Sequence, residues 1–358
     1  MAPKSSVRQG NRHGTDNVLE HSSSAGRSKK PSTSSKAKKQ TPAAKKATNT
    51  TAFSPILSLF QNTFAAFFSR PDLHQLLQTV KGHLYNRDYT AAFGAPENLD
   101  AYVVRWSPSR ALCYRSVFME LCEELTGVFD VTDGERREVV CIGGGAGAEL
   151  VGAAAALKGL LKKKGSPATV EEEEEEDRKI GSIHVTALDI AAWESSFSQL
   201  TAAIAESYMP AADVFSADFT QADIISPDAD LGSLIPTGTR LITLLFVTNE
   251  LYTQSKAATT RMLLSLAGLV EKGCLLLVLE SAGSYSTVTV GGSSFAMGML
   301  LEHTLLGPGS KGGDWECVFE EDARWFRLPQ PPNAQVVGLR YPLQLENMRY
   351  FVRVFRRL

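Results

Sequence analysis

The sequence predicts an α/β domain with a buried parallel sheet, preceded by a helical N-terminal extension. Three features of the chain predict it. Short, largely apolar runs at 139–142, 183–188, 215–219, 241–247 and 274–279 are separated by helical or turn-rich sequence, and strands apolar on both faces belong to parallel sheets covered by helices. The first run ends in glycines that open the Ala-rich segment Ala153–Leu161, a strand, turn and helix in succession. Ahead of it, from Phe53 to Leu125, apolar residues recur only at helical spacing. With 358 residues, 43% of them hydrophobic, one or two buried cores can form.

Residues 1–50 are rich in Ser, Lys, Thr and Ala and carry lysine pairs at 29–30, 38–39 and 45–46. Such a segment buries too little surface to offset its ordering entropy and is expected to be a disordered basic tail. It reads as a nuclear or nucleolar address that also meets RNA phosphates nonspecifically, or as a plain solvated tail. Lysine outnumbers arginine and two acids are present, which disfavours a mitochondrial transit peptide.

Residues 51–130 form the helical extension. Phe53, Ile56, Leu57, Phe60, Phe64 and Phe67 line one helix, Pro71-Asp72 opens a second through Leu73, Leu76, Leu77 and Val80, and a third runs from about Ser109 to Leu125. The first could lie on a membrane surface, but its polar face lacks the Lys/Arg load of interfacial helices, so packing on the main domain is favoured. That domain spans 131–358 and closes with a strand at 347–357. An insert at 162–179, with Lys162–Lys164, six glutamates at 171–176 and Asp177, is read as a disordered loop without chemistry.

The net charge of −2 hides a division: eleven Lys and Arg against Asp16 and Glu20 give residues 1–50 a charge of +9, leaving −11 for the rest. A uniformly basic nucleic-acid coat is therefore excluded. The five cysteines, Cys113, Cys122, Cys141, Cys274 and Cys317, sit mostly in apolar runs without zinc spacing, and are read as reduced core residues of an intracellular protein. The six histidines show no metal spacing either, so no metal is expected. No apolar stretch reaches the roughly 18 residues of a membrane span, and no secretory signal opens the chain.

The chemistry should lie at Val139-Val140-Cys141-Ile142-Gly143-Gly144-Gly145-Ala146-Gly147-Ala148-Glu149-Leu150. A buried strand ending in glycines at a helix start puts bare backbone against a ligand. Gly143, Gly145 and Ala148 satisfy the dinucleotide pattern G-x-G-x-x-G/A, whereas Gly143, Gly145, Gly147 and Glu149 give a G-x-G-x-G-x-E form that resembles the first motif of class I methyltransferases. Asp189 ends the next strand, where both families bind ribose hydroxyls; it lies too far on for the compact dinucleotide unit unless the charged insert is removed. Asp223, in Ala217–Ile224, looks like the acid that methyltransferases set against the adenine amino group. These three elements in order favour S-adenosylmethionine (SAM) over a nicotinamide. Each acid has a duller role as a helix or turn cap. The fourth strand runs into Thr248-Asn249-Glu250-Leu251-Tyr252, a polar cluster expected at the ligand end of the sheet, or else merely a capped helix start.

At this point a narrower resemblance appears. Tyr85-Asn86-Arg87-Asp88-Tyr89 with Ala92-Phe93, the run Ala101–Leu112, Thr248-Asn249-Glu250-Leu251, Ala323–Arg327 and Leu345–Phe351 resemble the fungal class I methyltransferases that modify a uridine at N3 in large-subunit (25S) ribosomal RNA. The likeness covers roughly residues 71–358, with the tail and the insert outside it. It implies a Rossmann-like sheet, SAM as cofactor, and ribosomal RNA or a pre-ribosomal particle as partner in the nucleus or nucleolus, with the cytoplasm as a further compartment.

Methylation at uridine N3 needs a base freed from its stack, an acceptor for its proton and positive groups nearby. Glu250 is the candidate acceptor and Asn249 the group that positions the base edge. Arg105, Trp106 and Arg110 are candidate RNA contacts, as are Arg324, Trp325 and Arg327, through stacking and phosphate binding; both tryptophans could equally anchor the core. In the last strand Arg349, Phe351, Arg353, Phe355 and Arg357 share a face, with burial of the phenylalanines favoured. Two alternatives stand beside this reading. One is a nicotinamide-dependent oxidoreductase, for which Tyr252 and Lys256 form the available Tyr/Lys pair; the other is a non-catalytic ribosome-assembly factor that keeps the fold.

Overall fold

The computed structural model describes residues 42–121, 127–164, 180–209, 213–308, 312–328 and 340–358. The tail up to residue 41, residues 165–179 of the insert and Cys122 lie outside them, whereas residues 42–50 and 162–164, expected in disordered segments, are helical. Five helices come first: α1 (Pro42–Thr63), α2 (Ala65–Phe68), α3 (Leu73–Tyr85), α4 (Tyr89–Phe93) and α5 (Pro96–Leu121). The boundary expected at residue 51 thus falls inside α1. Phe53, Ile56, Leu57, Phe60 and Phe64 are all buried in the main core, so the first helix packs on the domain. No described helix is long and apolar enough to cross a membrane.

Helix α5 corrects the expectation of a helix beginning near Ser109. Pro108 sits in its interior, where the missing N–H leaves the carbonyl four residues earlier without its helical partner. That carbonyl, on Val104, instead accepts a 2.7 Å hydrogen bond from the Tyr341 hydroxyl. Two further ties hold the same stretch. Ser109 Oγ accepts from the Glu346 amide at 3.0 Å, and Arg105 forms an ion pair with Glu346. The proline is tolerated because tertiary contacts replace the lost bond.

The sheet follows. Its elements are β1 (Arg136–Ile142), α6 (Ala148–Lys164), β2 (Ser182–Asp189), α7 (Glu194–Ala203), β3 (Phe215–Gln221), the short α8 (Leu231–Leu234), β4 (Thr239–Leu245), α9 (Thr248–Gln254), α10 (Lys256–Leu266) and β5 (Leu275–Ser281). A hairpin of β6 (Thr287–Val290) and β7 (Ser293–Ala296), α11 (Met297–Leu306), β8 (Trp315–Phe326) and β9 (Met348–Arg357) complete it. The strand order is β3-β2-β1-β4-β5-β9-β8. All neighbours pair in parallel except β9, which runs antiparallel to both β5 and β8.

Alternate residues of β1 feed two cores. Val139 and Cys141 join the layer that includes α1, α5, α6 and α7, while Val140 and Ile142 join the layer of α9, α10 and α11. In β9 the expected burial holds for Phe351 and Phe355, and Arg353 is buried with them. Arg353 is matched there by Glu302 and Asp322, each at 2.5 Å. Cys113, Cys141 and Cys274 are buried free thiols, and Cys317 is a half-buried one.

Candidate active site

A cavity of about 660 Å³ opens beyond the carboxyl ends of β1, β2 and β4, where ligands of open α/β sheets bind. The glycine turn between β1 and α6 forms its floor. Gly143 has φ +75°, and a Cβ there would lie 2.5 Å from Val247 Cγ2; at Gly145 it would lie 2.0 Å from Trp193 Cδ1. No side chain fits at either place. Helix α5 braces the turn through the Ser107 hydroxyl, which donates to the Ala146 carbonyl at 2.8 Å.

Gly143, Glu149, Asp189 and Asp223 line the cavity, whereas Gly145 and Gly147 shape the turn without lining it. Asp189 accepts from the amides of Gly145 and Ala191, both at 3.1 Å. It therefore ties β2 to the turn, and burial holds its carboxyl above the usual range. Asp223 accepts from the Ile225 amide at 3.2 Å, a local turn bond that leaves the rest of its carboxylate for a ligand. Glu149 is only 4% exposed, and its Oε1 has no hydrogen-bond partner. Burial pushes its carboxyl up to about 8, with Asp189 adding and Arg110 opposing. An orphaned buried carboxylate oxygen on a cavity wall fits a cationic ligand group.

The opposite wall is assembled from the extension and the end of β4. Arg110, on α5, donates to the Tyr102 hydroxyl, and its guanidinium carbon lies 5.4 Å from the Tyr102 ring and 5.5 Å from the Phe246 ring. Phe246 has φ +62°, a strained conformation for a bulky residue and one concentrated at functional sites. Glu250, half-buried at the start of α9, faces the same space. Burial pushes its carboxyl up to about 8, Asp189 and Glu280 adding and Arg110 opposing. Arg87, Asp88 and Tyr89 also line the cavity, so the second part of the resemblance string at 85–89 belongs to its wall.

Several expected site residues lie elsewhere. Asn249 does not line the cavity: its side-chain amide donates to Ser286 Oγ at 3.1 Å and its backbone amide to Glu280 Oε2 at 3.1 Å. Glu280, buried at the end of β5, was not foreseen. It accepts from the Thr248 hydroxyl and from the amides of Asn249 and Ser281, anchoring the start of α9 and with it Glu250. An acid ending an apolar strand was its only signal in the sequence. Arg105 and Trp106 also stay outside the cavity. Trp106 packs at 5.1 Å on Tyr102, which meets Phe93 and Trp193 in an aromatic cluster, so Trp106 anchors the extension. Arg324 pairs with Glu120 and Glu321, and Trp325 is exposed on β8. Among the described residues no cluster of His, Cys, Asp or Glu could hold a metal.

The arrangement suits a nucleoside carrying an amino acid. Asp189 and Asp223 offer acceptors for a sugar and a base, and Arg110 with the orphaned Glu149 oxygen offers groups of both signs for a zwitterion. The nicotinamide alternative fails on two counts. The dinucleotide fold is a parallel sheet ordered 3-2-1-4-5-6, which an antiparallel β9 between β5 and β8 contradicts. Tyr252 is buried outside the cavity, and Lys256 donates to the Thr289 carbonyl.

Comparison with known proteins gives the family. A family model for SAM-dependent methyltransferases matches residues 60–356. The 25S rRNA (uridine(2843)-N(3))-methyltransferase of Saccharomyces cerevisiae is 36% identical over 314 residues, 84% of each chain. Among solved structures, TrmN from Thermus thermophilus is 14% identical, covering 71% of this chain and 53% of that one, with a TM-score of 0.37. An O-methyltransferase family protein from Burkholderia thailandensis is 13% identical over 85% and 72%, also with 0.37. Scores that low add nothing to the strand order. The match along most of its length means that the chain belongs to the SAM-dependent methyltransferase family.

Proposed function

We propose that the protein methylates N3 of a uridine in large-subunit ribosomal RNA. The likeness to the yeast enzyme across 84% of each chain carries this reading, and the cavity has the groups such an acceptor needs. SAM supplies an electrophilic methyl group on a sulfonium. Uridine N3 holds a proton on the Watson–Crick edge, so the base must leave its stack to enter a cavity. Glu250 would take that proton while N3 bonds to the methyl in line and the methyl–sulfur bond breaks, releasing S-adenosylhomocysteine; a carboxyl pushed up to about 8 is matched to proton abstraction near neutrality. Asp189 binds the ribose hydroxyls and Asp223 the adenine amino group. Arg110 pairs with the cofactor's α-carboxylate and the orphaned Glu149 with its α-ammonium, a reassignment of Arg110 from RNA to cofactor that rests on its place in the cavity wall. The basic segment ahead of α1 supplies nonspecific phosphate contacts and a nuclear or nucleolar address, and the insert that follows α6 stays outside the chemistry.

The test is to delete the gene and map modified bases in ribosomal RNA. One N3-methyluridine should vanish from the large subunit, return with the wild-type protein and stay absent with Glu250→Gln. An unchanged pattern after deletion would end this reading.

A further inference from the structure

Strand β8 ends in an exposed cluster that the cavity does not use. Trp325 is 51% exposed, and the Arg327 guanidinium lies 4.4 Å from its ring centre. The β8–β9 register sets Arg349 directly opposite Trp325, and cross-strand partners share a face. Arg327 and Arg349 are both exposed. The other arginines of these two strands are engaged: Arg324 with Glu120, Arg353 with Glu302 and Asp322, Arg356 with Glu316 and Arg357 with Asp314. Among the described residues, Arg327 and Arg349 have no acidic partner of this kind. On a folded part with a net negative charge, two uncompensated cations beside an open indole are a local exception.

The cluster also stands at the edge of the sheet onto which the cavity opens. Arg349 adjoins Tyr350, whose ring meets that of Phe246, a cavity wall, at 6.4 Å. The Arg349 carbonyl accepts from Ala282, just past the carboxyl end of β5. The cluster and the cavity thus share the carboxyl end of one sheet, although the Arg349 side chain lies on the face opposite that of Tyr350.

We propose that Trp325, Arg327 and Arg349 form a platform on which the single-stranded RNA flanking the modified base stacks and is neutralised. The inference rests on reading the protein as an RNA methyltransferase. Every base has a π-face, so an indole serves without sequence preference, and the arginines take adjacent phosphates.

The full-length protein, saturated with S-adenosylhomocysteine, is titrated with two RNAs: a single strand centred on the target uridine with long flanks, and one trimmed to a few nucleotides. Trp325→Ala should weaken the long RNA by about tenfold or more, and Trp325→Phe should restore most of it. Arg327→Ala and Arg349→Ala should each reduce the slope of log K against log salt by about 0.7. The short RNA and S-adenosylhomocysteine should bind all variants as they bind the wild type, which also reports folding. Equal binding of the long RNA by Trp325→Ala and wild type overturns the platform while leaving the methyltransferase reading intact. Failure of the wild type to bind either RNA overturns both. A glutamate-rich peptide that binds wild type but not Trp325→Ala, with RNA unaffected, assigns the surface to an acidic protein and overturns it as well.

Discussion

The two walls of the cavity are built in different ways. The floor and the wall bearing Asp189 come from neighbouring elements, a turn and two strand ends, and act largely through backbone that no side chain may crowd. The opposite wall is gathered from α4, α5 and the junction of β4 with α9, and acts through long side chains, Tyr102, Arg110 and Glu250, held by contacts with still more distant segments. One wall is a local property of the chain and tolerates no substitution. The other belongs to the assembled molecule and should lose its functions one at a time.

Substitution on each wall sharpens or breaks this contrast. The largest effect is expected from Gly145→Ala, whose Cβ would sit 2.0 Å from Trp193. Calorimetry should find SAM binding abolished, together with a loss of about 1–3 kcal/mol in stability from overpacking. Near-normal cofactor affinity would show that the turn can yield. Across the cavity, Glu250→Gln should lower turnover by about 10²–10⁴ while cofactor affinity changes little. In the wild type kcat/KM should climb with pH to a midpoint near 8, since a carboxyl pushed up to about 8 must lose its proton before it can accept one. The variant should lack that limb.

A smaller and more selective effect is expected at Glu149. Pairing with the cofactor's ammonium requires its carboxylate, so affinity for S-adenosylhomocysteine should rise with pH toward 8. Glu149→Gln should cancel that rise and weaken binding by about tenfold, the scale of one charge-assisted bond. 5′-Methylthioadenosine, which lacks the amino-acid end, should bind both proteins alike. Unfolding of the ligand-free protein gives an independent reading. A carboxyl raised in the fold favours folding fully below the unfolded carboxyl range and loses that contribution as pH passes about 8. Glu149→Gln should therefore stabilise the ligand-free protein at alkaline pH and not at pH 4. The smallest effect belongs to Tyr341→Phe, which removes the hydroxyl bound to Val104 and should cost about 1 kcal/mol in urea unfolding.

The same contrast explains what could be read in advance. Four of the parallel strands were legible because their burial is nearly continuous, as in β4 and β5, and the edge strand β3 through Phe215, Ala217 and Phe219 at every second position. Strand β8 was not: it lies at the sheet edge, mostly exposed, with Glu320, Glu321 and Asp322 in its middle, so it shows neither an apolar run nor clean alternation. Pro108 concealed the first half of α5, because local rules end a helix there and its continuation depends on Tyr341 and Glu346, far along the chain. The same blind spot moved Arg110 and Trp106. Split between a loop and a helix start they read as RNA contacts; on one continuous helix Arg110 lines the cavity and Trp106 packs on Tyr102. Glycines and acids at strand ends announce a nucleoside by local spacing, while a wall made of distant segments has no local spelling.

The bonds that fix α5 join residues 237 and 241 positions apart. Loop closure on that scale must be met before such contacts stabilise anything, so they belong to the slow end of folding. A refolding chain should pair its parallel strands and protect their amides while the wall carrying Tyr102 and Arg110 is still open. Competence to hold the cofactor then becomes a clock for the last step of folding: in stopped-flow refolding, cofactor binding should lag behind the recovery of sheet structure.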